Sequence, residues 1–136
     1  MSNKTETNQL DDKGQKTGLW EEYFRDGKLS SVGEYRNGEK AGVWKHYLLN
    51  GVLRATGEHS NGVMTGVWEW RRENGKLLQV GALEDDKKTG FWKRYHENGQ
   101  LSDEGEYLNG ERIGEWKFYD TNGTLIRTKT FSPKKP

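Results

Sequence analysis

The large apolar residues of the chain are few and strictly spaced. Tryptophan stands at Trp20, Trp44, Trp68, Trp92 and Trp116, a constant step of 24 residues, each with a glycine two positions earlier. A turn dipeptide follows at Asp26-Gly27, Asn50-Gly51, Asn74-Gly75, Asn98-Gly99 and Asn122-Gly123. A leucine stands two residues beyond each, at Leu29, Leu53, Leu77, Leu101 and Leu125, and a further glycine recurs at Gly33, Gly57, Gly81 and Gly105. Self-similarity at a fixed period of this size marks a repeat architecture, in which each unit buries its apolar face only against its neighbours.

Each unit reads as two strands. In the first unit they span 19–25, with Trp20 and Tyr23, and 28–36, with Leu29, Gly33 and Tyr35. An X-Gly turn between aromatic and branched residues is the strongest local hairpin signal. Asn37-Gly38 and the residues to Ala41 turn the chain again, and strands joined by short turns are antiparallel neighbours. The expectation is an all-β, single-layer antiparallel β-meander of five stacked 24-residue hairpin repeats, elongated and ten-stranded. At about 4.8 Å per strand it is about 48 Å long and about 24 Å across. The repeats span 18–41, 42–65, 66–89, 90–113 and 114–131.

Residues 1–17 form a polar N-terminal tail, expected to be disordered before about residue 10. Lys13-Gly14 precedes Asn37-Gly38 by one period, so the end of the tail reads as a degenerate half repeat. Residues 132–136 form a C-terminal tail whose prolines and lysines would stop another sheet from adding on. Register stays open. A two-residue turn pairs Trp20 with Gly33, laying that indole over a position without a side chain; a three-residue turn with a bulge pairs Tyr23 with Leu29. Alternation along the strand favours a tryptophan ladder on one face and a tyrosine–leucine ladder on the other.

Composition changes the picture in one respect. With 30% hydrophobic and 32% charged residues the chain resembles a disordered one, but periodic placement of six Trp, six Tyr and four Phe concentrates its apolar area in large rings. The 22 basic and 21 acidic residues are well mixed, leaving no footprint for nucleic acid or an anionic membrane. Without cysteine there is neither a disulfide framework nor a thiolate metal site. No apolar run approaches the roughly 20 residues that span a bilayer, so the chain is expected to be soluble and cytoplasmic, not an integral membrane protein.

Catalysis has little support, and no cofactor or metal is expected. His46, His59 and His96 occupy different positions in the unit, Glu84-Asp85-Asp86 reads as a turn, and no helix follows the glycines to make a phosphate site. The five repeat tryptophans read as the structural ladder rather than a stacking platform for sugars or bases. The informative residues are those that break the repeat, since the scaffold determines the others. In the third unit Arg71 replaces the tyrosine and Arg72 follows it, Trp70 adds a ring, Leu83 replaces a second tyrosine and Asp85-Asp86 replaces Asn-Gly. Val63-Met64 is apolar where other units carry Glu39-Lys40 and Glu111-Arg112, and the hairpin tip at Leu48-Leu49 is apolar too. Leu48, Leu49, Val63, Met64, Trp70, Arg71 and Arg72 are therefore the candidate partner-binding patch, being of types enriched at interfaces. Joint substitution of Trp70 and Arg71 that leaves affinity for a captured partner unchanged removes this reading.

The unit G-x-W-x-x-Y-x-x-N-G-x-L-x-x-x-G-x-Y-x-N-G, over residues 18 to about 131, resembles the MORN repeat, most closely its bacterial variant. Proteins of that variant are often described as antitoxins, and eukaryotic MORN proteins have been linked to phospholipid binding and scaffolding. The resemblance implies a single-layer sheet of hairpins acting as a non-catalytic binding platform, with a toxin, effector or scaffold protein as partner. A self-assembling scaffold, a homo-oligomer paired through its sheet edges, is the close alternative. An aromatic cage for choline, a glycan or a phospholipid is a second, though the rings do not form W-Y-Y triplets.

Overall fold

The computed structural model describes residues 6–132. Eleven strands run in chain order: β1 (Gln9–Leu10), β2 (Lys16–Tyr23), β3 (Leu29–Arg36), β4 (Glu39–Tyr47), β5 (Leu53–Ser60), β6 (Val63–Arg71), β7 (Leu77–Glu84), β8 (Lys87–Tyr95), β9 (Leu101–Leu108), β10 (Glu111–Tyr119) and β11 (Leu125–Phe131). They form one open antiparallel sheet in which every strand pairs only with its neighbours in sequence. The all-β meander is as expected, with one strand more than the ten predicted.

The extra strand is β1, which supplies half a repeat. It pairs Gln9 with Thr17 and Leu10 with Lys16, and the Asn8 side chain continues the edge by bonding both backbone groups of Glu21. Residues 8–10, expected to be disordered, are thus folded onto β2. The rest of that expectation, on 1–5, and the blocking role of 133–136 lie outside the described residues.

Two kinds of turn border the ribbon. On one edge, Asn37-Gly38, Asn61-Gly62, Asp85-Asp86 and Asn109-Gly110 are two-residue turns with positive φ at both positions, the I′ geometry that matches strand twist. The second residue of each donates its N–H one hairpin back: Gly38 to Lys16 O at 3.1 Å, Gly62 to Lys40 O at 3.0 Å, Asp86 to Met64 O at 3.1 Å and Gly110 to Lys88 O at 2.9 Å. On the other edge the turns are longer, and Asp26, Asn50, Asn74 and Asn98 each accept with Oδ1 from the N–H two residues on.

Both registers left open by the sequence occur together. Trp20 pairs with Gly33 and Tyr23 with Leu29, because a bulge between Glu22 and Tyr23 absorbs one residue. The indole over Gly33, however, belongs to Trp44 and not, as the sequence reading had it, to Trp20. The cause is a second irregularity: Glu34 pairs with Ala41 and Val32 with Lys45, so three residues of β4 oppose Gly33 alone. Gly42, at φ 68, makes the bend. A Cβ on Gly33 would lie inside the Trp44 ring. Trp68 covers Gly57, Trp92 covers Gly81 and Trp116 covers Gly105 in the same way.

Each indole also donates Nε1–H to the strand it covers: Trp44 to Glu34 O, Trp68 to Glu58 O, Trp92 to Ala82 O and Trp116 to Glu106 O. These four rings are at most 1% exposed and constitute the core of a one-layer protein. Each contributes about 1.5–3 kcal/mol by burial. Trp20 is less buried, although its Nε1–H reaches Gln9 O at 3.0 Å.

Candidate binding face

The tryptophan face carries a continuous run of rings. Fifteen positions after each tryptophan stand Tyr35, His59, Leu83 and Tyr107, between successive indoles, and Phe131, which ends the run against Trp116. Tyr35 makes edge contacts with Trp20 and Trp44 at 5.8 and 5.1 Å, and Tyr107 with Trp92 and Trp116 at 5.8 and 5.1 Å. The pairs Tyr23–Leu29, Tyr47–Leu53, Tyr95–Leu101 and Tyr119–Leu125 fall three residues away in register, on the opposite face by alternation. That face is the more open one, with Leu19, Val43, Val67 and Phe91 exposed along it.

A row of cations covers the indoles. Four residues before each tryptophan stand Lys16, Lys40, Met64, Lys88 and Arg112. Lys16 lies 4.6 Å from the Trp20 ring, Lys40 4.8 Å from Trp44, Lys88 4.9 Å from Trp92 and the Arg112 guanidinium 4.7 Å from Trp116. Such contacts stabilise by about 0.5–1 kcal/mol each at exposed sites, and the alkyl stems shield the ring edges. Met64 breaks the row at Trp68.

Around that break the rings change arrangement. Trp44, His46, Trp68, Trp70 and Trp92 form a near-parallel stack with successive separations of 6.0, 6.2, 5.9 and 5.5 Å. His46 and Trp70 occupy the position two after the repeat tryptophan, which is Glu22, Arg94 or Phe118 in the other units. Met64 is held from the turn: its N–H donates to Asp86 Oδ1 at 2.8 Å, while the Asp86 N–H donates to Met64 O. Asp86 sits at φ 67 where the other turns carry glycine. Its carboxylate thus does something glycine could not.

Met64, Trp68, Trp70 and Ala55 floor a groove of about 250 Å³, with Lys40, Arg54, His46 and His59 on its walls. Burial, and secondarily the Lys40 charge, push both imidazoles below the ordinary histidine range. His59 is 9% exposed, and its Nδ1 is buried without a hydrogen-bond partner. His96 lies elsewhere, its Nε2 against Tyr119 O at 2.9 Å. Among the described residues no group of three or more His, Asp or Glu is arranged to hold a metal ion.

The seven residues of the predicted patch do not meet. Met64 and Trp70 line the groove, and Val63 stands beside them at the short-turn edge, paired with Ser60. Leu48 and Leu49 lie in a long turn at the opposite edge, where Arg72 donates to Tyr95 O at 2.9 Å. Arg71, next to it, donates to Gly75 O and pairs with Glu69. Nine residues of extended strand separate the two ends of β6 by about 26 Å, and alternation puts Trp70 and Arg71 on different faces. The sequence reading missed His46, His59 and Arg54 as groove residues. It also missed the cation row, whose signal was a basic residue four positions before four of the five tryptophans.

Comparison with known families gives one match. The family described as MORN repeat variant matches residues 16–37, 88–109 and 112–132. These segments flank residues 38–87, the stretch that contains the groove. No curated protein matches the chain.

Proposed function

We propose, from the premise that this chain is built of MORN-variant repeats, that it binds another protein through the aromatic face of its central hairpins. Repeats of this family are binding modules rather than enzymes. The observation that carries the reading is the break in the cation row. Four repeat indoles are covered by Lys16, Lys40, Lys88 or Arg112, whereas Trp68 has Met64 in that place and Trp70 stacked beside it. Aromatic and methionine side chains on a rigid sheet make interface anchors. Seated there, a partner has its own working surface occluded, the mode of an antitoxin or immunity-type component acting on a toxin or effector in the cytoplasm.

The test is capture from native lysate with the wild-type chain and with a double variant, Met64→Lys and Trp70→Arg. Both replacements are the residue types found around Trp92, Lys88 and Arg94, so the fold is retained and circular dichroism checks it. A stoichiometric protein held by the wild type and lost by the variant is expected. Equal retention by both overturns the proposal.

A specific feature favours self-assembly as a second reading. The two sheet edges differ: β1 and Asn8 occupy one, while β11 on the other is exposed over all residues but Phe131, with Ile126 at 63%. An open edge strand is a template for a second copy. Concentration-dependent size in solution, abolished by Thr128→Pro, is the expected behaviour of such a scaffold.

A further inference from the structure

We infer that the central groove takes an acidic peptide segment of the protein partner, with one apolar side chain set between Met64 and Trp70 and a carboxylate placed against His59, Lys40 and Arg54. This rests on the protein-binding reading above and names the chemistry of what is bound.

Charge and an unmet polar atom point to this ligand. The groove has an apolar floor, four basic or imidazole side chains on its walls and no carboxylate in its lining. The acids nearest in influence are engaged elsewhere. Glu22 accepts from Ser31 Oγ at 3.0 Å and lies 4.0 Å from Lys16, while Asp86 accepts the Met64 N–H. His59 Nδ1, buried and unpartnered, is a group that folded proteins rarely leave unsatisfied. A carboxylate in the groove favours the charged form of that imidazole through space. The fixed cations at Lys40 and Arg54 favour the same ligand charge.

Shape selects the class of ligand. The groove, about 250 Å³, falls below the roughly 300–1,000 Å³ of enclosed small-molecule pockets. A side chain or two of a protein segment fits such a site. A bilayer surface calls instead for a broad basic field, and this chain carries 22 basic against 21 acidic residues.

Protons are linked to the event. Burial first holds both imidazoles below the usual range in the free chain; His46 also responds to Lys40, His59, Arg54 and Glu22, and His59 to Lys40, the Gly62 backbone and Asp86. A bound carboxylate favours their charged forms, so binding takes up protons and tightens as pH falls.

The experiment uses the whole chain and two fluorescein-labelled peptides in anisotropy titrations. One peptide alternates Asp and Glu around a central Phe and Leu; the other replaces every acid by Asn or Gln. The acidic peptide is expected to bind at least about tenfold more tightly than its neutral counterpart. Arg54→Ser, which installs the residue type of Ser30 and Ser102, is expected to erase most of that preference. His59→Tyr, the type at Tyr35 and Tyr107, reduces the tightening at low pH. Equal affinity for both peptides, or no effect of Arg54→Ser, overturns the inference. So does displacement of the acidic peptide by millimolar inorganic phosphate, or binding of phosphatidylserine vesicles in place of the peptide. A lysate partner lost with Met64→Lys and Trp70→Arg, when neither peptide binds, overturns the acidic chemistry and leaves protein binding standing.

Discussion

The hairpins β6–β7 and β8–β9 are one backbone carrying two surfaces. In both, the indole lies over the glycine of the preceding strand and donates to the same carbonyl position, Trp68 to Glu58 O and Trp92 to Ala82 O. In both, the second turn residue bonds one hairpin back. The outer layer differs. Lys88 lies over the Trp92 and Tyr107 rings in the later hairpin, while Met64, Trp70 and Leu83 make the earlier one apolar. The comparison separates two codes in one repeat. Glycines and turn dipeptides specify the sheet; the positions four before and two after each tryptophan specify what the sheet meets.

The largest effect should strike both hairpins alike. Gly57→Ala and Gly81→Ala each drive a Cβ into a buried indole, and each should cost about 2–3 kcal/mol in chemical denaturation. Gly75→Ala, in a turn at φ 87 with only Val52 near at 4.0 Å, should cost about 1 kcal/mol through backbone strain alone. A clear difference between Gly57→Ala and Gly81→Ala would break the idea of a shared scaffold.

Next comes the turn. Asp86→Ala keeps the positive φ and loses the bond to Met64, an expected cost of about 1–2 kcal/mol. Gly110→Ala, at φ 84 in the equivalent turn, introduces only strain and should cost about 1 kcal/mol. Denaturation midpoints of the two variants sharpen the contrast.

The third effect depends on pH. His46 and His59 are held below the ordinary histidine value of 6.5 in the folded chain. The unfolded chain therefore takes up protons first as pH falls. The stability that their neutral forms contribute is complete above 6.5 and is lost as pH drops from there through the lower folded values. His59→Tyr should flatten that part of the profile, measured as melting temperature between about pH 7.5 and 5. The smallest effect is Met64→Lys, which restores the row and should shift stability by less than about 1 kcal/mol while it disrupts the groove.

Much of the scaffold was legible because it repeats. The 24-residue step of the tryptophans and the Asn-Gly turns sufficed for strand order, antiparallel pairing and the tryptophan face. The bulges were not legible. An extra residue in one strand leaves the residue pattern intact, so Trp20–Gly33 and Tyr23–Leu29 looked like competing registers when both hold. A second irregularity, three residues of β4 opposite Gly33, carried the Trp44 indole, rather than that of Trp20, over that glycine. For the binding face, Met64, Trp70 and Asp86 stood out as departures from the unit. That Asp86 holds Met64 was invisible, since 22 residues separate them. Arg71 and Leu49 were grouped with Trp70 because they too depart from the unit, and alternation and strand length send them to another face and another edge.

The strand order has a mechanical consequence. Among the described residues each strand pairs in the ladder only with its sequence neighbours, so the two ends of the ribbon are β1 and β11. A load applied between them acts across the strands and opens their hydrogen bonds one after another, as in peeling, instead of shearing many at once. Under tension the molecule should yield in steps of one hairpin, each releasing about 80 Å of extended chain, and the indoles over Gly57 and Gly81 would act as the catches that separate one step from the next.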